Sequence, residues 1–375
     1  MNYRLSEQQK LIKKTVSSLL KDLVPTDKFR QIIETEGFSK KSWEKLAKDG
    51  WIGMLADSQS PDEAFSLMDM ICVSEEIGAK LFLGPYSLVS SFIVPVLTQL
   101  LPEGEQEKSL ETVINGKKLM TAVLPSARTK RQEVVVNWGG LSITEDDDNI
   151  YLSGQNEHVQ FAQYADAILL PVENTWGGIS LAIIEKDTTG LIVESESSVD
   201  LSRRLATLRF DNVKIEKNAF IGGWNADHRQ VLTENLASYI LCLNSEMIGG
   251  AQKVLEKTVE HVKERKQFGH SIAVYQAVKH QLADMYTFIE NAKSYNFYTT
   301  WKLLNEPKDS LLHVAASRVY AVEMYKDVCE KAIQLQGGMG FTWEQETHFW
   351  YKSALYHQNH IASARTIKRF IFNNL

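Results

Sequence analysis

The spacing of apolar residues in this chain changes twice, and that double switch limits the fold more than any other feature. From Leu5 to about Leu101 they recur every three or four positions: Leu11, Ile12, Val16, Leu19 and Leu20, then Trp43, Leu46 and Ala47, then Leu67, Met70, Ile71 and Ile77. Such spacing lays a stripe along one face of a helix. Gly37, Gly50, Gly53 and Pro61 punctuate these helices. From about Lys118 to Ile215 short β-branched runs take over, at residues 133–138, 141–144, 149–152, 167–172, 179–184, 191–194 and 205–215. Turn residues separate them, Asp146-Asp147-Asp148-Asn149 and Asp187-Thr188-Thr189-Gly190 among them. After Gly222-Gly223 the helical period returns. It predicts long segments over about 225–266, 271–304, 309–336 and 343–373, with breaks at Gly269, Pro307 and Gly337-Gly338.

A chain of 375 residues is too long for one simple core. The order of periods predicts an α+β multidomain protein in three parts. These are an N-terminal all-α domain over 1–117, a middle β-barrel or sandwich domain over 118–222, and a C-terminal four-helix bundle over 223–375.

Composition narrows the function classes. A net charge of −6 and a pI near 5.9 argue against general nucleic-acid binding, which needs many cations facing phosphates. Cys72, Cys242 and Cys329 are far apart and show no metal-ligand spacing, so no metal site is expected and a reducing compartment suits them. The opening MNYRLSEQQKLIKK lacks the apolar core of a signal peptide. The longest apolar run, near Phe92 to Leu101, is interrupted by Pro95 and Gln99 and is too short to span a bilayer. A cytoplasmic protein is expected.

Two motifs carry a resemblance. One is Arg265-Lys266-Gln267-Phe268-Gly269, followed by Gln276-Ala277-Val278-Lys279-His280 and Leu282-Ala283-Asp284-Met285. The other is Gln334-Leu335-Gln336-Gly337-Gly338-Met339-Gly340-Phe341-Thr342. Glu75-Glu76-Ile77-Gly78, Arg203-Arg204-Leu205-Ala206 and Phe210-Asp211-Asn212-Val213 agree with them. In these stretches the chain resembles the acyl-CoA dehydrogenase family. The resemblance implies that family's three-domain fold, FAD as cofactor, an acyl-CoA thioester as substrate and an electron-transferring flavoprotein as acceptor. It also implies a homodimer or homotetramer with flavin at subunit interfaces. Arg265, a permanent planar cation, suits a pyrophosphate; the resemblance places it on the FAD of a neighbouring subunit, with Gln267, Phe268 and Gln276 nearby. Gln334 would offer an amide to the same cofactor, and Gly337 and Gly338, without side chains, would let backbone approach it. The plain alternative for both motifs is a surface arginine, a packed phenylalanine and a helix-capping glycine pair.

The expected chemistry removes an α-proton to a carboxylate base while the β-hydrogen leaves as hydride to the flavin. The family's usual base falls here near Ile361-Ala362-Ser363, and no Asp or Glu occurs from Thr347 to Leu375. A second position used in the family falls on Tyr239, a poor base near neutrality. Glu246, about two turns further along, projects from nearly the same face among Cys242, Leu243, Met247, Ile248 and Gly249. Apolar surroundings would suit a general base, so Glu246 is the expected catalytic residue, against the alternative of a structural carboxylate paired with a cation. His357 and His360 are weaker candidates. Gly249-Gly250 would let another helix or a ligand approach. Where the family has a Trp-Ile-Thr segment beside the flavin ring, the chain has His158-Val159-Gln160; Gln160 can donate towards the ring and His158 can stack. Val123-Leu124-Pro125-Ser126-Ala127 replaces another family loop, and Asp57 to Phe65 lacks the glycines of a third. These departures leave three functions open. They are an acyl-CoA dehydrogenase with a relocated base, a non-catalytic subunit in a heteromer with a paralogous catalytic one, and a flavin oxidase or monooxygenase on the same fold.

Overall fold

Ser6 starts the first helix with a capping box: its hydroxyl accepts from the Gln9 amide while the Gln9 side chain accepts from the Ser6 amide. The computed structural model describes residues 4–24, 26–35, 37–56, 65–130, 133–343 and 345–374; of the glycine-poor loop at 57–65, only Phe65 falls among them. The N-terminal part contains α1 (Glu7–Leu23), α2 (Thr26–Glu34), α3 (Lys40–Lys48) and α4 (Leu67–Lys80). A short α5 (Tyr86–Leu88) continues through a π-helical turn at Val89–Ile93 into α6 (Val94–Leu100), and α7 (Glu103–Ile114) follows.

The middle part forms two sheets. One has three strands in the order β1 (Met120–Ala122), β6 (Ala167–Glu173) and β7 (Ile179–Glu185). The other has four, β4 (Ser142–Glu145), β5 (Asn149–Gln160), β9 (Leu205–Glu216) and β8 (Leu191–Ser195), all antiparallel. A separate hairpin joins β2 (Ser126–Lys130) to β3 (Glu133–Asn137). The alternation along β6 sorts its side chains. Ile168, Leu170 and Val172 join the core of the middle part with Leu152, Leu208 and Phe210, while Ala167 and Leu169 join the core of the helices. Buried on both faces, β6 therefore reads as a continuous apolar run.

The C-terminal bundle is built from α8 (Arg229–Glu264), α9 (Gln276–Asn305), α10 (Ser310–Gln336), α11 (Thr347–His357) and α12 (Ala364–Asn373). The segment predicted as one helix over 343–373 is thus two. The chain turns at Ile361, whose φ of 71° is a costly conformation for a β-branched residue, and Ser363 caps α12 by accepting from the Thr366 amide at 3.3 Å. Between α8 and α9 the predicted helix starts give way to a small hairpin, β10 (Lys266–Gln267) with β11 (His270–Ser271), turning through Phe268 and Gly269 at positive φ. No helix among the described residues is long and apolar enough to cross a membrane.

The approach expected at Gly249-Gly250 is filled by protein. α4 crosses α8 so closely that a Cβ at Gly249 would lie 1.8 Å from the Glu75 carbonyl oxygen, and one at Gly78 would lie 1.9 Å from that of Glu246. Gly250 gives the same room to Tyr325 and Trp350. Beside the crossing, Glu75 binds Lys13 of α1 at 2.7 Å and Lys293 of α9 at 3.0 Å, tying α1 and α9 to α4. Because backbone rather than flexible side chain stands in the way, Gly249→Ala forces the helices apart. Chemical denaturation should show a loss of about 3 kcal/mol, with surface glycine Gly104→Ala unaffected as a control.

Candidate active site

A cavity of about 690 Å³ opens between the four-stranded sheet and the turn that joins α11 to α12. Val123 to Ser126, His158, Gln160, Leu205, Tyr356, His360 and Ile361 line it. The backbone explains how these groups come together. The register between β5 and β9 slips between Asn156 and Val159, and His158 and Phe161 take φ of 61° and 54°. Such a bulge re-aims the side chains that follow it. Gln160, 3 % exposed, turns inward as a result. On the other side Ile361 receives the Ala127 amide at 2.9 Å, which docks β2 against the turn and holds His360 over the cavity floor.

The floor is a hydrogen-bonded plate. Gln160 Nε2 donates to Tyr239 Oη at 2.8 Å, and Tyr239 Oη lies 3.0 Å from His360 Nε2. Gln160 Nε2 is also 3.2 Å from His360 Nε2, and His360 Nδ1 is 2.8 Å from Tyr356 Oη. Burial pushes the His360 imidazole well below its usual range, and the guanidiniums of Arg318 and Arg203 push it further the same way. The ring is therefore neutral at pH 7, with one nitrogen donating and the other accepting. At the rim, His158 is tied to Glu196, Nδ1 to Oε2 at 2.6 Å and backbone amide to Oε1 at 2.9 Å.

Glu246 does not line this cavity. It lies deeper, 2 % exposed, and the apolar surroundings expected for it are corrected: Arg203, on the loop before β9, binds Oε2, and Ser87 donates to Oε1 at 2.5 Å. Its sequence neighbours on α8 are apolar, but its spatial neighbours come from a loop and a helix far away in the chain. Burial works against the Arg203 charge, yet Glu246 and then Asp200 hold it firmly protonated. His357 is also fully buried, neutral for the same reason, and its carbonyl accepts from Arg318 at 3.1 Å.

The remaining expected residues form a second, outward-facing group. Arg265, Gln267 and Gln276 are exposed, and Phe268 is 89 % exposed. Gln334, Gly337 and Gly338 are exposed as well; Gly337 has φ of 61°, and a Cβ at either glycine would meet nothing within 4 Å. None of them lines the cavity.

Residues 229–359 match the family described as the acyl-CoA dehydrogenase C-terminal domain. The chain is 27 % identical over 363 residues to the caffeyl-CoA reductase-Etf complex subunit CarC of Acetobacterium woodii, covering 92 % of each. The C-terminal bundle belongs to the acyl-CoA dehydrogenase family, and the chain as a whole is similar to its members. Two solved structures share its fold over the full chain. PigA with FAD and proline has a TM-score of 0.88 at 20 % identity, covering 99 % of that chain. The ChsE4–ChsE5 complex of Mycobacterium tuberculosis has a TM-score of 0.86 at 20 % identity, covering 98 % of that chain.

Within this acyl-CoA dehydrogenase fold, neither expected base position carries a carboxylate: one is Ile361, at the cavity edge, and the other is Tyr239, hydrogen-bonded behind Gln160 and His360. Sequence reasoning missed Tyr356 and the partnership of Arg203 with Glu246, because neither has a local signal. Removing one member of a buried ion pair strands the other. Glu246→Gln should cost about 3–5 kcal/mol in urea denaturation. The double variant Arg203→Met with Glu246→Leu should lose clearly less than the two single changes added together.

Proposed function

We propose that the protein is an FAD-dependent oxidoreductase that takes an acyl-CoA thioester into this cavity and removes hydrogen from its α- and β-carbons. The observation that carries the proposal is the cavity's inner wall. Gln160 and Asn156 both line it, and Asn156 Oδ1 is buried without a partner, an acceptor that a ring N–H of a flavin would satisfy. Val123, Val159 and Leu205 add apolar surface for a flat ring. Bound there, the flavin supplies the hydride acceptor. Arg265 and its exposed neighbours suit the pyrophosphate of an FAD shared with a second protomer, and Gln334 with the open backbone at Gly337 and Gly338 suits the opposite side of such an interface. An electron-transferring flavoprotein as acceptor is supported by the naming of the Acetobacterium relative as a subunit of an Etf complex.

One observation favours a second proposal, that the chain holds flavin for a catalytic partner of the same fold. Ile361 and Tyr239 provide no base, and the Glu246 carboxylate is occupied by Arg203 and Ser87. The ChsE4–ChsE5 neighbour is itself a complex of two differently named chains.

Purified protein should be yellow, and an acyl-CoA should bleach the flavin under anaerobic conditions. Arg265→Ala should weaken FAD binding by roughly tenfold or more, the value of one charge-assisted hydrogen bond. Bound flavin that no acyl-CoA reduces would move the chain to the second proposal. Protein that takes up no FAD, alone or beside a paralogous subunit, overturns both.

A further inference from the structure

The cavity stops at Gln160 and His360, and a ring stands behind them. Tyr239 is wholly buried, its hydroxyl ties those two side chains together, and its ring packs on Phe92 with centroids 6.4 Å apart. Behind Tyr239 the chain is closely packed: Val89, Ser90, Ser91, Phe92 and Ile93 are each 0–1 % exposed, as are Leu241, Cys242 and Leu243 further along α8. This packed seam has features of a site rather than of an ordinary core. Residues 89–93 form a π-helical turn, a rare distortion often found at functional positions. Ser90, on that turn, is a fully buried hydroxyl.

We infer that Tyr239 sets the depth of the cavity, so that the site accepts short acyl groups and rejects long ones. The inference rests on the thioester reading above and adds a limit on acyl length. The ring acts as a stop because α8, which carries it, and the π-helical turn are already in contact. An acyl group reaching His360 has nowhere to continue while the phenol is present. Without the ring, a space the size of a benzene opens directly behind the plate, walled by Phe92 and apolar side chains of α8. Volume is the determinant, and the hydroxyl positions Gln160 and His360.

Calorimetric titration of the full-length protein with acetyl-, butyryl- and octanoyl-CoA tests this. Wild type should bind octanoyl-CoA no more tightly than butyryl-CoA. Tyr239→Ala should reverse that order, gaining about fourfold for each methylene newly buried. Tyr239→Phe should keep the wild-type order. If Tyr239→Ala does not fold, Tyr239→Val gives the same reversal in smaller measure. An octanoyl-CoA affinity in wild type that exceeds butyryl-CoA by the full methylene increment overturns the inference and leaves the thioester reading standing. So does a reversal in Tyr239→Phe as large as in the alanine variant. Binding of none of the three thioesters by any variant removes the substrate reading and the inference together.

Discussion

A buried guanidinium needs an anion, and much of this molecule is arranged around the one that Arg203 finds. Arg203 leaves the middle part on the loop before β9, and Glu246 meets it from the centre of α8. Neither can be withdrawn without stranding a charge in low dielectric, so the pair fixes the β layer against the bundle in one register. It can form only because α4 and α8 touch through glycine. Gly78 lies against the Glu246 backbone and Gly249 against that of Glu75, and any side chain there would lift the helix that carries Glu246. The same crossing positions Ser87, one short turn beyond α4, on the other oxygen of the carboxylate.

That arrangement determines the electrostatics of the cavity floor. Arg203 and Arg318 lie close behind the plate of Gln160, Tyr239, His360 and Tyr356, and burial has pushed Arg318 down to about 10. Burial and then the two cations make a third positive charge, on His360, unfavourable, so the imidazole stays neutral and serves as a relay of hydrogen bonds. A neutral floor of this kind orients a ligand through direction rather than through charge. It differs from the carboxylate chemistry that the resemblance led one to expect at Ile361 or Tyr239.

The architecture was legible because it rests on periodicity. Every β-branched run from 133 to 215 became a strand, and the ends of α10 fell within a residue of the predicted 309–336. What escaped the sequence depends on contacts between distant segments. β1 has three residues and is a strand because it lies parallel beside β6; its composition gave no sign of it. The break at Ile361 was hidden because the apolar stripe runs on through a left-handed residue that only the docking of β2 makes tolerable. The site divides in the same way. Arg265, Phe268 and the double glycine were visible as motifs, whereas the apolar setting read for Glu246 took helix neighbours for spatial ones, and it is the alternative of a carboxylate paired with a cation that Arg203 meets. Its true partners, Ser87 and Arg203, are 159 and 43 residues away in the chain.

The outward-facing group completes the physical picture. A protein that spends so much on burying its polar atoms still leaves Phe268 89 % exposed at the tip of a two-residue hairpin, with Val274 and Tyr275 also exposed beside it. Apolar side chains in a cluster rimmed by Arg265, Gln267 and Gln276 are costly in water and inexpensive against another protein surface. The backbone at Gly337 and Gly338 is exposed as well, and a Cβ at either would meet open space. One protomer therefore has a cavity whose floor is finished and an outer face of exposed polar and apolar groups. A dinucleotide laid from the cavity to that face of a second protomer would satisfy both, because its ring needs the enclosed wall at Gln160 and its phosphates need an exposed, permanent cation.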